Sequence, residues 1–60
     1  MNIYEVAAHV KATFELTNAE AMSRTIGMYE DLDIKPAEQV STSLLGEIEH
    51  CIGYDIKKGR

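Results

Sequence analysis

The chain has 60 residues, one cysteine and a formal net charge of −4 at pH 7. A chain this short forms at most one domain and buries only about 60% of the surface that its unfolded form exposes. Cys51 has no second cysteine with which to form an internal disulfide, which favours a reducing, cytoplasmic setting. We therefore expect a marginally stable domain that gains stability as a homodimer sharing apolar surface.

The charge is unevenly distributed along the chain. Residues 1–56 carry ten acids and three bases, whereas residues 57–60 carry three bases and no acid. We read them as one helical domain, 1–56, and a basic C-terminal tail, 57–60, that is frayed. The acidic body argues against nucleic acid as the partner, because non-specific nucleic-acid affinity comes mostly from Lys and Arg.

No part of the sequence resembles a membrane anchor. Its longest apolar runs fall well short of the about 20 residues that a spanning helix needs. The start "MNIYEVAAHV" has no basic leader before an apolar stretch. We therefore expect a soluble protein without membrane association.

The first predicted element is an amphipathic helix over about residues 2–16. Its apolar residues recur at steps of three and four, so they share one narrow face: Ile3, Val6, Ala7, Val10 and Phe14. It should stop near Thr17, because Thr17 and Glu20 form the sequence pattern of a capping box. That box predicts the start of a second helix.

The second helix is predicted over about residues 18–32. Its apolar residues cover about half of the circumference, wider than the stripe of a helix that packs against one neighbour. It should therefore lie between two partners. The segment "DLDIKP" ends it, because the residue before a proline is disfavoured in helical conformation.

The third helix is predicted over about residues 36–52, with Pro36 in its first turn and Gly53 as its C-terminal stop. Its apolar residues lie within about 140° of the helical wheel. Together these elements predict an all-α fold, a compact three-helix bundle. Its expected core is Val6, Val10, Phe14, Met22, Ile26, Tyr29, Val40, Leu44, Ile48 and Ile52.

Two glycines on exposed helix faces mark the candidate interaction site. An exposed mid-helix glycine costs about 0.5–1 kcal/mol relative to alanine, unless a partner approaches closely there. Gly27 lies beside Asp31 on the polar side of the second helix. Gly46 lies on an uncharged stripe of the third helix, and interface centres are typically depleted in charge. The predicted partner-binding residues are Gln39, Thr42, Ser43, Gly46, His50, Gly27 and Asp31. The alternative is that these glycines are merely tolerated on a solvated surface.

Other patterns in the sequence predict no catalytic residue, metal or cofactor. Cys51 belongs to the apolar arc of its helix and is expected to be a buried thiol. Glu5 and His9 are four residues apart, a spacing that an ordinary surface ion pair shares. The acids Glu30, Asp31 and Asp33 do not continue into a calcium-loop pattern. An enzyme is therefore not expected.

These observations predict a small acidic helical interaction protein that binds and modulates or inhibits another macromolecule. Its acidic flanks favour a protein partner with a basic surface. Size and charge are similar in style to phage or mobile-element accessory proteins, although no motif carries that analogy.

The alternative is a helix-turn-helix DNA-binding regulator with "STSLLGEIEHC" as recognition helix. A third possibility is an oligomer that binds a small ligand between subunits near Tyr4, His9 or Tyr29.

Overall fold

A computed structural model describes residues 1–59, and within that range the chain forms three α-helices and no strand. They are α1 (Ile3–Phe14), α2 (Asn18–Asp31) and α3 (Thr42–Lys57). The helices form a bundle with extents of 28 × 19 × 17 Å, in which α2 packs more extensively against α1 than against α3. The prediction of a compact, all-helical fold is confirmed.

Both of the first two helices begin with a capping box. The Thr17 hydroxyl accepts from the Glu20 N–H, and the Glu20 carboxylate accepts from the Thr17 N–H, as the sequence predicts. Asn2 and Glu5 make the same reciprocal pair at the start of α1, which the sequence reading missed. Because α1 ends at Phe14 and α2 begins at Asn18, three residues join the two helices into a hairpin.

The connection from α2 to α3 is an ordered turn followed by an extended segment. Asp33 adopts a left-handed conformation with φ of 56°, and the Ile34 N–H donates to the Tyr29 carbonyl over 2.8 Å. This is the Schellman pattern that closes helix C-termini. The Glu38 N–H donates to the Lys35 carbonyl over 2.9 Å, closing a turn around Pro36.

The third helix differs from its prediction at both ends. It begins at Thr42 rather than at residue 36, because the Ser41 hydroxyl caps it by accepting from the Leu44 N–H. Pro36 therefore lies in a turn, and Gln39 lies in the connection rather than on a helix. The helix continues through Gly53 to Lys57, so Gly53 is not a stop.

Gly53 instead allows α1 and α3 to approach each other. A Cβ atom built on Gly53 would lie 3.3 Å from Cε1 of Phe14. The Thr13 hydroxyl donates to the Glu49 carboxylate over 2.6 Å and links the same two helices nearby.

The core is partly the predicted one. Six predicted core residues are buried: Val6, Val10, Tyr29, Val40, Ile48 and Ile52. Phe14, Met22 and Leu44 are half-buried, whereas Ile26 is 44% exposed and its prediction as a core residue is wrong. The remaining buried residues are Ala7, Ala21, Thr25, Met28 and Leu45. Met28 of α2 is buried, although it was not among the predicted core residues.

The N-terminal residue holds the long connection against the bundle. The Met1 nitrogen donates to the Val40 carbonyl, and the Val40 N–H donates to the Met1 carbonyl, each over 2.7 Å. Val40 is buried, so this pair anchors the segment before α3. Within residues 1–59, the helices lack the combination of length and apolar character that crossing a bilayer requires.

Candidate functional site

An open groove lies between the C-terminal half of α2 and the C-terminal half of α3. Its volume is about 480 Å³, and its lining is Met28, Asp31, Leu32, His50, Cys51, Tyr54 and Asp55. Met28 is buried and Cys51 is half-buried, whereas Leu32 is 38% exposed and Tyr54 is 54% exposed. We call this the α2–α3 groove. It has a buried apolar base and two exposed apolar side chains at its edge.

A smaller cleft of about 120 Å³ adjoins this groove. It is lined by Arg24, Gly27, Met28, Asp31, Ile52 and Asp55, so three residues belong to both depressions. Three of the predicted site residues line these two depressions between α2 and α3: Asp31 lines both, His50 lines the groove and Gly27 lines the cleft.

The other four predicted site residues lie closer to the start of α3. Thr42, Ser43 and Gly46 are exposed on the helix, and Gln39 is exposed in the connection before it. They do not line the groove. Ser43, Gly46 and His50 follow one another on the exposed side of α3 and lead toward it.

Tyr54 is one of two exposed groove residues, with Leu32, that the sequence did not mark as site residues. It lies four residues after His50 and eight after Gly46, so it extends the exposed stripe of α3 by another turn. The third helix was predicted to end at residue 52, with Gly53 as its stop, so Tyr54 was not assigned to a helical face. The signal that marks the longer helix is the four-residue spacing of Ile48, Ile52 and Ile56, which continues past Gly53. We call the stripe of Ser43, Gly46, Glu47, His50, Tyr54 and Lys57 the α3 face.

The space outside both mid-helix glycines is open. Within residues 1–59, a Cβ atom built on Gly27 or on Gly46 has no heavy atom within 4 Å other than its chain neighbours and the backbone of its own helix. Packing among these residues therefore does not require either glycine. The prediction that something outside the chain approaches them remains a prediction.

Acidic groups surround the α2–α3 groove. Asp31 and Asp55 line it, and the exposed Glu30 and Asp33 flank Asp31 along the chain. On the other side, the Lys58 ammonium lies 5.6 Å from the centre of the Tyr54 ring. A cation above an aromatic face is attracted by the ring quadrupole. The groove therefore offers apolar surface, carboxylates and an aromatic ring that already accepts a cation.

Two side chains away from the groove have shifted pKa values, and their local surroundings explain both shifts. Hydrogen bonding by the Thr17 backbone N–H lowers the pKa of Glu20, as a capping box does. Burial raises the pKa of Tyr29, and the Glu38 carboxylate adds to the rise. Among residues 1–59, no group of three His, Cys, Asp or Glu side chains is arranged to hold a metal ion.

Neither a family model, nor a curated protein, nor a solved structure matches this chain.

Proposed function

We propose that the protein is a small helical interaction module that binds a segment of another protein in the α2–α3 groove and thereby modulates or inhibits it. On this proposal the protein acts by binding rather than by catalysis. The observation that carries the proposal is an apolar groove with Leu32 and Tyr54 half-exposed at its edge. Exposed apolar groups clustered around a concavity are typical of binding sites.

The charges around the groove indicate the chemistry of the bound segment. Asp31 is exposed and lines the groove, so its carboxylate would face a chain lying there. Complementary charge steers association and disfavours acidic partners. We therefore propose a segment with an apolar side chain for the groove and Lys or Arg beside it.

The helix-turn-helix alternative has less support from the geometry. Ten residues join α2 to α3, whereas helix-turn-helix motifs use about three or four. The proposed recognition segment also exposes Glu47 and no Lys or Arg before Lys57. Such a face has no cation for phosphates or guanine edges. The analogy with phage or mobile-element proteins rests only on size and charge.

Affinity capture from a nuclease-treated lysate of the encoding organism tests the proposal with matched variants. Leu32→Ser removes an apolar edge of the groove, whereas Ile26→Ser removes a comparably exposed side chain of α2 outside it. Asp31→Asn and Glu30→Gln form a second pair, because only Asp31 lines the groove.

We expect one protein to be retained in stoichiometric amount by the wild type and by both control variants, Ile26→Ser and Glu30→Gln. Leu32→Ser should lose it, and Asp31→Asn should weaken its binding about threefold to tenfold, since desolvated charge pairs contribute to interfaces. If a parallel capture without nuclease retains only nucleic acid, and nuclease abolishes that retention, the result would instead support the DNA-binding alternative. Equal losses in both members of a pair would exclude the groove as the binding site.

A further inference from the structure

We propose that the α3 face also binds a second copy of itself in an antiparallel, two-fold dimer. In this dimer the Tyr54 ring of each copy inserts into the open space above Gly46 of the other. The inference goes beyond the proposed function, because it specifies a second occupant for a neighbouring surface.

The spacing of residues on the α3 face is self-complementary. Gly46 lies four residues before His50, and Tyr54 lies four residues after it. If His50 lies at the two-fold axis of an antiparallel pair, Gly46 and Tyr54 of the two copies come to the same height. Each is about 6 Å along the helix from the axis, given the helical rise of about 1.5 Å per residue.

In the proposed dimer, four residues of one copy form a hole that receives the Tyr54 side chain of the other copy. Ser43, Gly46, Glu47 and His50 are related as residue i and residues three, four and seven positions later. Four residues with this spacing form the hole that receives one side chain in helix-to-helix packing. Ser43 is small, and the space outside Gly46 is empty. The tyrosine therefore has room that a larger residue at position 46 would remove.

Charge complementarity selects the antiparallel orientation. Glu47 lies in the first half of α3, and Lys57 and Lys58 lie at its end. In the antiparallel pair, the lysines of one copy lie about one helical turn from Glu47 of the other, within the reach of a lysine side chain. A parallel pair would instead place like charges at the same height. Antiparallel helices also oppose their dipoles.

The size of the face limits the strength of this dimer. A stable interface typically buries about 800 Å² per partner. The chain exposes 4111 Å² in all, and a single face of the 16-residue α3 is only a small part of it. We therefore expect a weak dimer that dissociates on dilution. Because Tyr54 also lines the α2–α3 groove, a second copy and the proposed partner compete for it.

Sedimentation equilibrium over about a hundredfold range of concentration measures the dimer. We expect Tyr54→Ser and Gly46→Val each to weaken it about tenfold or more, because a central aromatic side chain often dominates an interface. Tyr4→Ser is the control for Tyr54, since Tyr4 is also exposed but lies on α1. Ala19→Val, on the exposed side of α2, is the control for Gly46.

Two further measurements test the register and the charges. With Cys51 replaced by alanine, His50→Cys should give an oxidised disulfide dimer, because the two copies of residue 50 meet at the axis. Ala19→Cys in the same background should not. Glu47→Lys and Lys58→Glu should each weaken the dimer, and their combination should restore it.

These experiments separate this proposal from the proposed function. Gly46 does not line the groove, so Gly46→Val should lose the dimer and keep the captured partner. Leu32→Ser should keep the dimer and lose the captured partner, because Leu32 lines the groove and is not on the α3 face. A chain that stays monomeric at every concentration would overturn the dimer and leave the groove proposal standing. A dimer unaffected by Tyr54→Ser and Gly46→Val would overturn the α3 face as its interface.

Discussion

Two residues other than glycine adopt left-handed backbone conformations, and both follow a helix. Glu15 has φ of 53° after α1, and Asp33 has φ of 56° after α2. The cost for a residue with a Cβ atom is roughly 1–2 kcal/mol, while short Asp and Asn side chains are tolerated better. Both residues are exposed, so replacing them disturbs no core packing.

Glu15→Gly should therefore stabilise the fold by about 0.5–1 kcal/mol after allowing for the greater entropy of unfolded glycine. Asp33→Gly should give a smaller gain. Urea unfolding followed by circular dichroism measures both. Glu15→Ala is the control, because it removes the charge but keeps the Cβ atom. A gain from alanine equal to that from glycine would show that charge, not backbone conformation, is responsible.

Tyr29 is 2% exposed, and its hydroxyl has no hydrogen-bond partner within residues 1–59. Removing an unpaired buried hydroxyl is neutral or stabilising, so Tyr29→Phe should leave stability at neutral pH unchanged or raise it by up to about 1 kcal/mol.

The pH dependence of the same variant follows from the raised pKa of Tyr29. Above the ordinary tyrosine pKa of about 10, the unfolded chain loses this proton before the folded chain does. The stability that the protonated Tyr29 contributes is therefore fully present below about pH 10 and is lost as the pH rises through the raised folded-state pKa. Melting temperatures from neutral to alkaline pH should fall more steeply for wild type than for Tyr29→Phe. Tyr4→Phe, at an exposed tyrosine, should behave like wild type.

The choice between Ile26 and Met28 as the core residue of α2 was beyond sequence reading. Apolar residues cover about half of this helix, so several positions suit a core face. The packing of the whole bundle selects among them: Met28 is buried, whereas Ile26 is exposed. The core residues of α1 were predictable, because its apolar residues, Val6 and Val10 among them, share one narrow face and leave no second candidate for the core.

At the scale of helices, the three helical glycines have different surroundings. A Cβ atom on Gly27 or Gly46 would enter open space, whereas one on Gly53 would press against the Phe14 ring. Helix propensity favours alanine over glycine at all three by about 0.5–1 kcal/mol. Only at Gly53 does packing oppose that gain.

Gly27→Ala and Gly46→Ala should each raise the free energy of unfolding by about 0.5–1 kcal/mol. Gly53→Ala should gain less, because Phe14 must shift by a few tenths of an ångström. Chemical denaturation at a concentration where the chain is monomeric measures the three variants. An equal gain at all three positions would contradict a close contact between α1 and α3.

The boundary between α1 and α2 was predictable from local chemistry, whereas the start of α3 was not. Thr17 and Glu20 form a capping pattern that no nearby residue contests. Before α3, two local signals compete, because Pro36 suits a first turn and Ser41 suits an N-cap. Ser41 prevails since Val40 is then free to enter the core and pair with Met1. That pair joins distant parts of the sequence.

At the scale of the whole molecule, the candidate site combines residues from two helices. Gly27, Asp31 and His50 were predicted as site residues from their helical faces alone. Their meeting at two adjoining depressions depends on how α2 and α3 pack, which no local pattern specifies. Leu32 was missed for the same reason, whereas Tyr54 was missed because α3 was predicted to end at residue 52.

A weak dimer makes thermal stability depend on protein concentration, because association stabilises the folded chain by mass action. The melting temperature should rise with concentration for wild type and for Tyr4→Ser. It should stay constant for Gly46→Val, which removes the space for Tyr54. Differential scanning calorimetry across the range used for sedimentation measures this. A concentration-independent wild-type melting temperature would contradict the dimer.

The reciprocal bonds between Met1 and Val40 have a consequence for folding kinetics. They close a loop across 39 residues, whereas α1 and α2 meet through a three-residue turn. Forming contacts between distant residues costs chain entropy early in folding, so we expect the α1–α2 hairpin to form first and the Met1–Val40 pair to form late. Val40→Ala should therefore speed unfolding in stopped-flow experiments and leave the refolding rate nearly unchanged. The segment before α3 would then be the first part of the bundle to detach.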